Sequence, residues 1–457
     1  MAKMYEMKPV KVPPVKTKYR RIVTPIPPPQ AQPIMAALRK YEPRSMTGQP
    51  VVLWDRAKGC QVYDKWGNMW LDFSSGVLVA NAGHSNPAVV KAIVNQANHG
   101  LLHNYCFPSE MRAKLVKRLA QVLPKKLDKV FLLTTGAETT ECAVKLMRTH
   151  GKTVGGPKKI GIISFERGFH GRTMGSQQIG GSPALKEWIV NLDPHMWQVP
   201  FPDGYWTEDT SFDLFLKTLE KLKVTPDMVA GVIFETYQGG GSCFLPKDYA
   251  QKLYAWCQKH NIILTCDEVQ AGFGRTGKMF GFEHYGFVPD LACFGKGISS
   301  SLPLSAIAGR KDLMDQYAPG SMTSTHTGSP ICVAAALASV DFIVKKKLWL
   351  NAEKVGAVIY KGLLDLQKKY PGRIGIVMGK GLVYSVQMVK AGGKKEADFD
   401  LAFTVVKKCI EKGLLFFGPV GFCSVKIAPP LVITKAQALE GLKVLDEALC
   451  EAIAEGA

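Results

Sequence analysis

The chain uses two different periods of apolar and polar residues. Residues 51–76, VVLWDRAKGCQVYDKWGNMWLDFSSG, alternate apolar and polar positions around a turn at Trp66, Gly67 and Asn68. That pattern predicts an antiparallel β-meander. From about residue 87 the period lengthens. PAVVKAIVNQANHGLL and SEMRAKLVKRLAQVL carry apolar residues at helical spacing. Short apolar runs then alternate with helical stretches: KVFLLTT (129–135), KIGIISF (159–165), MVAGVIFE (228–235), IILTCDEV (262–269) and DLACFG (290–295). Strand and helix in alternation predict a largely parallel, doubly wound sheet. Near-continuous apolar runs are what strands covered on both faces look like. After residue 330 a long periodic helix, ICVAAALASVDFIVKK, leads into a mixed α+β segment. The first thirty residues are instead Pro-rich and basic. Thr24-Pro25-Ile26-Pro27-Pro28-Pro29 fits neither a helix interior nor a central strand, so an extended arm on a surface is expected, on this chain or a partner subunit.

Composition narrows the classes. The chain has 457 residues, 46% hydrophobic and 21% charged, which excludes a disordered protein. The length accommodates a large domain and a smaller one. No run approaches the ~20 apolar residues that cross a bilayer, so no membrane partner is expected. The N-terminus has no apolar core of a secretory signal. Eleven cysteines are scattered without a CxxC pair or zinc spacing. That pattern points to reduced thiols in the cytoplasm and to no metal site. The net charge of +20 opens two partner classes, nucleic acid and small anions. The basic residues are spread along the chain (KKLDK, PKKIG, VKKKLW, GGKKEAD) without a nucleic-acid-binding signature, so no nucleic acid is expected.

In doubly wound sheets, ligands sit beyond the carboxyl ends of the strands. Lys296, in CFGKGISS, follows one apolar run. Desolvation there would lower its pKa and supply a nucleophilic amine for Schiff-base chemistry. A lysine at a helix end reaching to water fits the local sequence equally. Asp267 ends another run and suits a cationic ring nitrogen, a metal or an arginine, or a helix N-cap. Thr134-Thr135-Gly136-Ala137-Glu138 lies between strand and helix, where free N–H groups suit a phosphate or need only a cap. Neither a P-loop nor a GxGxxG fingerprint is present.

Taken together, Thr134 to Ala137, Phe169-His170-Gly171-Arg172, Glu235, DEVQAGFGRTG from Asp267 and FGKG at Lys296 resemble the class III aminotransferases, pyridoxal phosphate enzymes of fold type I. Asp72-Phe73-Ser74-Ser75-Gly76, Gly83-His84-Ser85-Asn86-Pro87 and Ala428-Pro429-Pro430-Leu431 extend the resemblance over nearly the whole chain.

The resemblance implies an α/β fold with a mostly parallel central sheet in a large domain and a small α+β domain. Its parts would be residues 1–85 (arm and meander, part of the small domain), 86–335 (cofactor domain) and 336–457 (C-terminal small domain). It implies pyridoxal 5′-phosphate as cofactor and a homodimer with shared active sites, with tetramers left open. Lys296 matches the lysine that joins the cofactor through a Schiff base and carries the substrate proton. Asp267 matches the partner of the ring nitrogen. Phe169 and Val269 match the residues on the two ring faces, and Gln270 the glutamine near the ring hydroxyl. Thr135, Gly136, Ala137 and His170 fall within the cofactor-binding motifs. Thr325 matches the threonine that reaches the neighbouring subunit's phosphate, although Thr327-Gly328-Ser329-Pro330 replaces the usual Gly-Gly-Asn-Pro.

For the substrate, Arg172 matches the arginine on a distal carboxylate in the γ-aminobutyrate branch. Glu235 matches the glutamate that masks a second arginine, and Lys426 stands where that arginine is usual. Val77, Leu78, Tyr105 and Tyr237 are placed in the pocket by the same analogy. The implied reaction is transfer of an amino group from a short ω-amino acid (γ-aminobutyrate, β-alanine, 5-aminovalerate or taurine) to 2-oxoglutarate or pyruvate, in ping-pong fashion. Racemase or epimerase, diamine or ornithine aminotransferase, and dialkylglycine decarboxylase remain open within the family.

Overall fold

The computed structural model describes residues 4–392, 395–421 and 423–456. The chain divides into two compact units. One is residues 87–347; the other joins the chain up to Asn86 with the chain from Leu348 onward.

Among the described residues, the sheet of the larger unit has seven strands. Their order is Lys129–Leu133, Ser305–Gly309, Leu291–Phe294, Ile263–Asp267, Val229–Glu235, Gly161–Phe165, Met196–Val199. The last five pair parallel, and only Ser305–Gly309 runs against its neighbours. Every residue of Gly161–Phe165, Val229–Glu235 and Ile263–Asp267 is buried, as the apolar runs require. The helix Gly136–Gly155 packs Cys142, Ala143, Leu146 and Met147 onto Ile162, Ile233, Ile263 and Leu291. Register then fixes the chemistry: Asp267 stands directly opposite Glu235 on one side and Cys293 on the other.

The helix Pro330–Lys346 packs against Pro87–His99 and lies wholly in the larger unit. The division therefore falls after Lys347, not after residue 335. Lys347 itself adopts the left-handed conformation (φ 48°) that ends the helix.

In the smaller unit the meander is antiparallel, Arg56–Lys58, Gln61–Tyr63 and Met69–Asp72. The N-terminal arm is not merely laid on a surface. Val15–Lys16 and Arg21–Ile22 pair with each other, and Arg21 registers with Met69, so the arm extends this chain's own sheet. A second, antiparallel sheet orders Ile374–Lys380, Val383–Met388 and Ser424–Ile427. Among the described residues, no helix is long and apolar enough to cross a membrane.

Candidate active site

The carboxyl ends of the parallel strands enclose a cavity of about 230 Å³ in the larger unit. Gly136, Ala137, Phe169, His170, Glu235, Asp267, Val269, Gln270 and Lys296 line it, together with Gly171. These segments are up to 160 residues apart in sequence and meet because their strands are neighbours in one sheet.

The helix Gly136–Gly155 begins with a capping box. Thr135 Oγ1 accepts the Glu138 N–H at 3.3 Å, and the Glu138 carboxylate accepts the Thr134 and Thr135 N–H groups at 3.0 and 2.6 Å. Thr135 and Glu138 thus serve the cap, and neither lines the cavity. The next two N–H groups, of Gly136 and Ala137, donate to no described atom. They face the positive end of a twenty-residue helix, where an anion is favoured.

The floor is ionisable and dry. Asp267, 5% exposed, accepts the Val269 N–H on Oδ1 at 3.0 Å and lies 2.8 Å from His170 Nδ1 through Oδ2. Burial works against a charged His170 ring. The hydrogen bond to Asp267 and the charges of Asp267 and Glu235 outweigh it and raise the pKa. Glu235 accepts the Phe169 N–H on Oε1 and the Gly239 N–H on Oε2, both at 2.9 Å. Burial first, opposed by His170 and reinforced by Asp267, pushes its carboxyl up to about 7. Here Glu235 anchors backbone, including that of the aromatic residue at the cavity wall.

Lys296 follows the strand Leu291–Phe294 in a left-handed conformation, φ 45°, which a side chain rarely adopts outside constrained sites. Burial lowers its ammonium below the ordinary lysine range, against the pull of Asp267 and Glu235. Its amine makes no hydrogen bond among the described residues.

The other expected substrate residues are placed differently. Arg172 is exposed, its guanidinium carbon 5.7 Å from the centroid of the Phe169 ring, at the edge of the cavity rather than in its lining. Tyr105 is 40% exposed and bonds Thr323 Oγ1 at 3.1 Å. Tyr237 does not line the cavity; it is fully buried, its hydroxyl 3.4 Å from Gln270 Oε1. Thr325 also lies outside the lining, exposed in a turn closed by Thr327 N–H on Ser324 O. In the smaller unit, Lys426 is 3% exposed on a strand opposite Ser385. Val77 and Leu78 end a run of four positive-φ residues from Ser75, with Val77 43% and Leu78 2% exposed. Sequence reasoning missed the pairing of His170 with Asp267. It also missed two residues that hold the 170–176 loop, Thr140 and Glu141. No local signal in the sequence marks them, because their partners at 170–176 lie thirty or more residues away.

The arrangement fits pyridoxal 5′-phosphate on three counts: unbonded N–H groups for a phosphate, a buried carboxylate for a ring nitrogen, and an unbonded amine of lowered pKa. The sequence profile described as Aminotransferase class-III matches residues 43–449. A 5-aminovalerate aminotransferase of Pseudomonas putida is 34% identical over 407 residues, 87% of this chain and 93% of that one. A leucine/methionine racemase of Thermococcus litoralis is 32% identical, covering 87% and 90%. The crystal structure of an (S)-enantioselective ω-transaminase from Thermomicrobium roseum superposes with a TM-score of 0.84 at 27% identity, covering 93% of this chain and 98% of that one. The chain belongs to the class III aminotransferases, enzymes that work with pyridoxal 5′-phosphate.

Proposed function

We propose that the protein transfers the amino group of a short ω-amino acid, such as γ-aminobutyrate, β-alanine, 5-aminovalerate or taurine, to 2-oxoglutarate or pyruvate in two half-reactions. The observation that carries this reading is Arg172, whose planar cation stands over the Phe169 ring at the cavity edge. A guanidinium there suits a carboxylate or sulfonate at the far end of a donor. The 5-aminovalerate aminotransferase among the relatives supports a donor of that shape.

Pyridoxal 5′-phosphate supplies the aldehyde and the electron-withdrawing ring of the reaction. The chain's residues do the rest. Gly136 and Ala137 N–H groups would hold the phosphate. Asp267, held by His170 and the Val269 N–H, would stabilise a proton on the ring nitrogen. Lys296 Nζ, its ammonium destabilised by burial, would be the nucleophile and would take the proton from the substrate carbon. Phe169 and Val269, which line the cavity, would exclude water from it. Lys426 supplies a point charge for the carboxylate of the oxo acid, with less geometric selectivity than an arginine fork. An unchanged KM for every 2-oxo acid in Lys426→Ala would remove it from that role. Thr325, exposed and outside its own cavity, serves the site of a second copy in a homodimer.

The test is a half-reaction. Holoenzyme mixed with an ω-amino acid and no oxo acid loses its visible absorbance as the amino group moves. The racemase relative supports a second reading, amino-acid racemisation. A racemase would leave the absorbance essentially unchanged and invert an α-amino acid instead. Absorbance loss with α-amino acids alone would overturn the ω-donor reading.

A further inference from the structure

The helix Gly136–Gly155 offers its N-terminus to the cavity. One turn further on, its side chains hold the loop that carries Arg172. Thr140 Oγ1 lies 2.8 Å from His170 O and 2.7 Å from Ser176 Oγ. Glu141 Oε1 accepts three hydrogen bonds: from Thr173 Oγ1 at 2.6 Å, Gly175 N at 2.8 Å and Ser176 N at 3.1 Å. The carboxylate lies flat on Gly175, where a methyl group would come within 2.2 Å of Glu141 Oε2. Gly171 is pressed just as closely. Its φ is +141°, and a methyl group there would meet Ala137 Cβ at 2.7 Å and Ser176 Cβ at 2.8 Å. Residues 170–176 are therefore clamped to the helix at both ends, with Arg172 between the clamps. Its neighbour Thr173 is bonded directly to Glu141.

We infer that Glu141 is a positioning residue for donor selection: it fixes the turn at Thr173–Ser176 and thereby the reach of Arg172 over Phe169. Arg172 is exposed, so without a clamp its loop would sample many positions and its fork would meet a distal carboxylate only part of the time. A half-buried carboxylate oxygen shared by three donors is a stiff way to prevent that. The inference rests on the reading of Arg172 as the residue that meets the donor's far end.

The experiment compares two donors of equal length, 5-aminovalerate and n-pentylamine, in the holoenzyme half-reaction. Misplacing a binding group by about 1 Å can cost up to roughly 100-fold. Glu141→Ala is therefore expected to raise the concentration of 5-aminovalerate giving half-maximal rate by roughly 10- to 100-fold. The value for n-pentylamine and the cofactor's absorbance and retention should stay as in the wild type. Glu141→Gln, whose amide oxygen still accepts from the same donors, should restore most of the 5-aminovalerate behaviour. Equal losses for both donors, weakened cofactor retention, or a Gln variant as impaired as the Ala variant would overturn the inference. Arg172→Ala separates the two readings. If it leaves 5-aminovalerate unaffected, the role of Arg172 falls. If it selectively impairs 5-aminovalerate while Glu141→Ala does not, only the positioning role falls. Should Glu141→Ala fail to fold, Thr173→Val removes one donor to Glu141 and carries the same selective effect in smaller size.

Discussion

At the floor of the cavity, Asp267, Glu235, His170 and Lys296 stand on or beside buried strands, and the three titrating groups among them whose pKa values move do so through burial and each other's charge. Arg172 at its edge, and Tyr105 and Thr325 outside its lining (together, the rim), instead stand exposed on loops, with the Arg172 guanidinium over the Phe169 ring and the Tyr105 hydroxyl on Thr323. The floor is desolvated, so each charge there is strongly felt and each lost partner leaves another group unpaired. The rim is wet, so its contacts are individually weak and can change without disturbing the floor. Common chemistry and variable donor selection can then coexist in one fold. Substitutions at the two levels should differ in size by orders of magnitude.

The largest effect belongs to Lys296. On the proposed mechanism Lys296→Ala would remove both nucleophile and proton carrier, and turnover should fall by roughly 10⁴-fold. The protein should still fold, since the Lys296 side chain makes no hydrogen bond among the described residues. A variant within tenfold of the wild type would mean that the floor is not where the chemistry occurs.

Next is Asp267→Asn, which keeps the shape but not the charge. Loss of one preorganised electrostatic partner costs roughly 10²–10³-fold in kcat. His170 also loses the partner that raises its pKa. Its titration, followed by NMR, should move down in the variant. A His170 titration that does not move would show that the 2.8 Å contact carries no electrostatic coupling.

The floor was legible for a physical reason. A carboxylate or amine placed after a buried apolar run has few structural uses, so Glu235, Asp267 and Lys296 stood out, and so did the Thr135–Glu138 cap. The strands Met196–Val199 and Ser305–Gly309 did not. The first is short and only partly buried; the second is made of small residues with no β-branched majority. The clamp between Glu141 and residues 173–176 joins segments more than thirty residues apart, and no local period records such a contact. Tyr237, placed in the pocket by analogy, is buried with its hydroxyl 3.4 Å from Gln270 Oε1 and does not itself line the cavity.

The floor also sets the pH dependence of stability. Glu235, and with it the buried Glu268 outside the cavity lining, both pushed up to about 7 chiefly by burial, bind more protons folded than unfolded between the ordinary 4.5 and 7. Stability must therefore fall as pH rises through that window, by at most about 1.4 kcal/mol per pH unit for each group. His170, raised, adds a slope of the same sign above its ordinary 6.5. Lys296, lowered, binds fewer protons folded than unfolded and gives the opposite slope, below its ordinary 10.5. Melting temperatures of the enzyme from pH 5 to 7 should decline, and Glu235→Gln should flatten part of that decline. An identical slope in the variant would exclude Glu235 as a titrating group of the floor.

The smallest effect is expected at Tyr105, and it tests the rim from the other side. Tyr105→Phe removes one exposed hydroxyl, bonded to Thr323 Oγ1 at 3.1 Å. Exposed substitutions of this kind change stability by no more than about 0.5 kcal/mol. The loop keeps its main anchor, because Arg112 donates to the carbonyls of Tyr105 and Cys106 at 3.0 and 2.9 Å. The ring, with φ of 47° at its own residue, stays where that anchor puts it. Thermal melting should therefore be unchanged, and half-reaction rates should shift no more than about threefold. A much larger loss confined to one donor would mean that the hydroxyl touches substrate, and that the rim is as finely built as the floor. A loss equal for all donors, with altered cofactor absorbance, would mean that the 101–109 loop reaches the floor after all, and the division between the two levels would fail at that point.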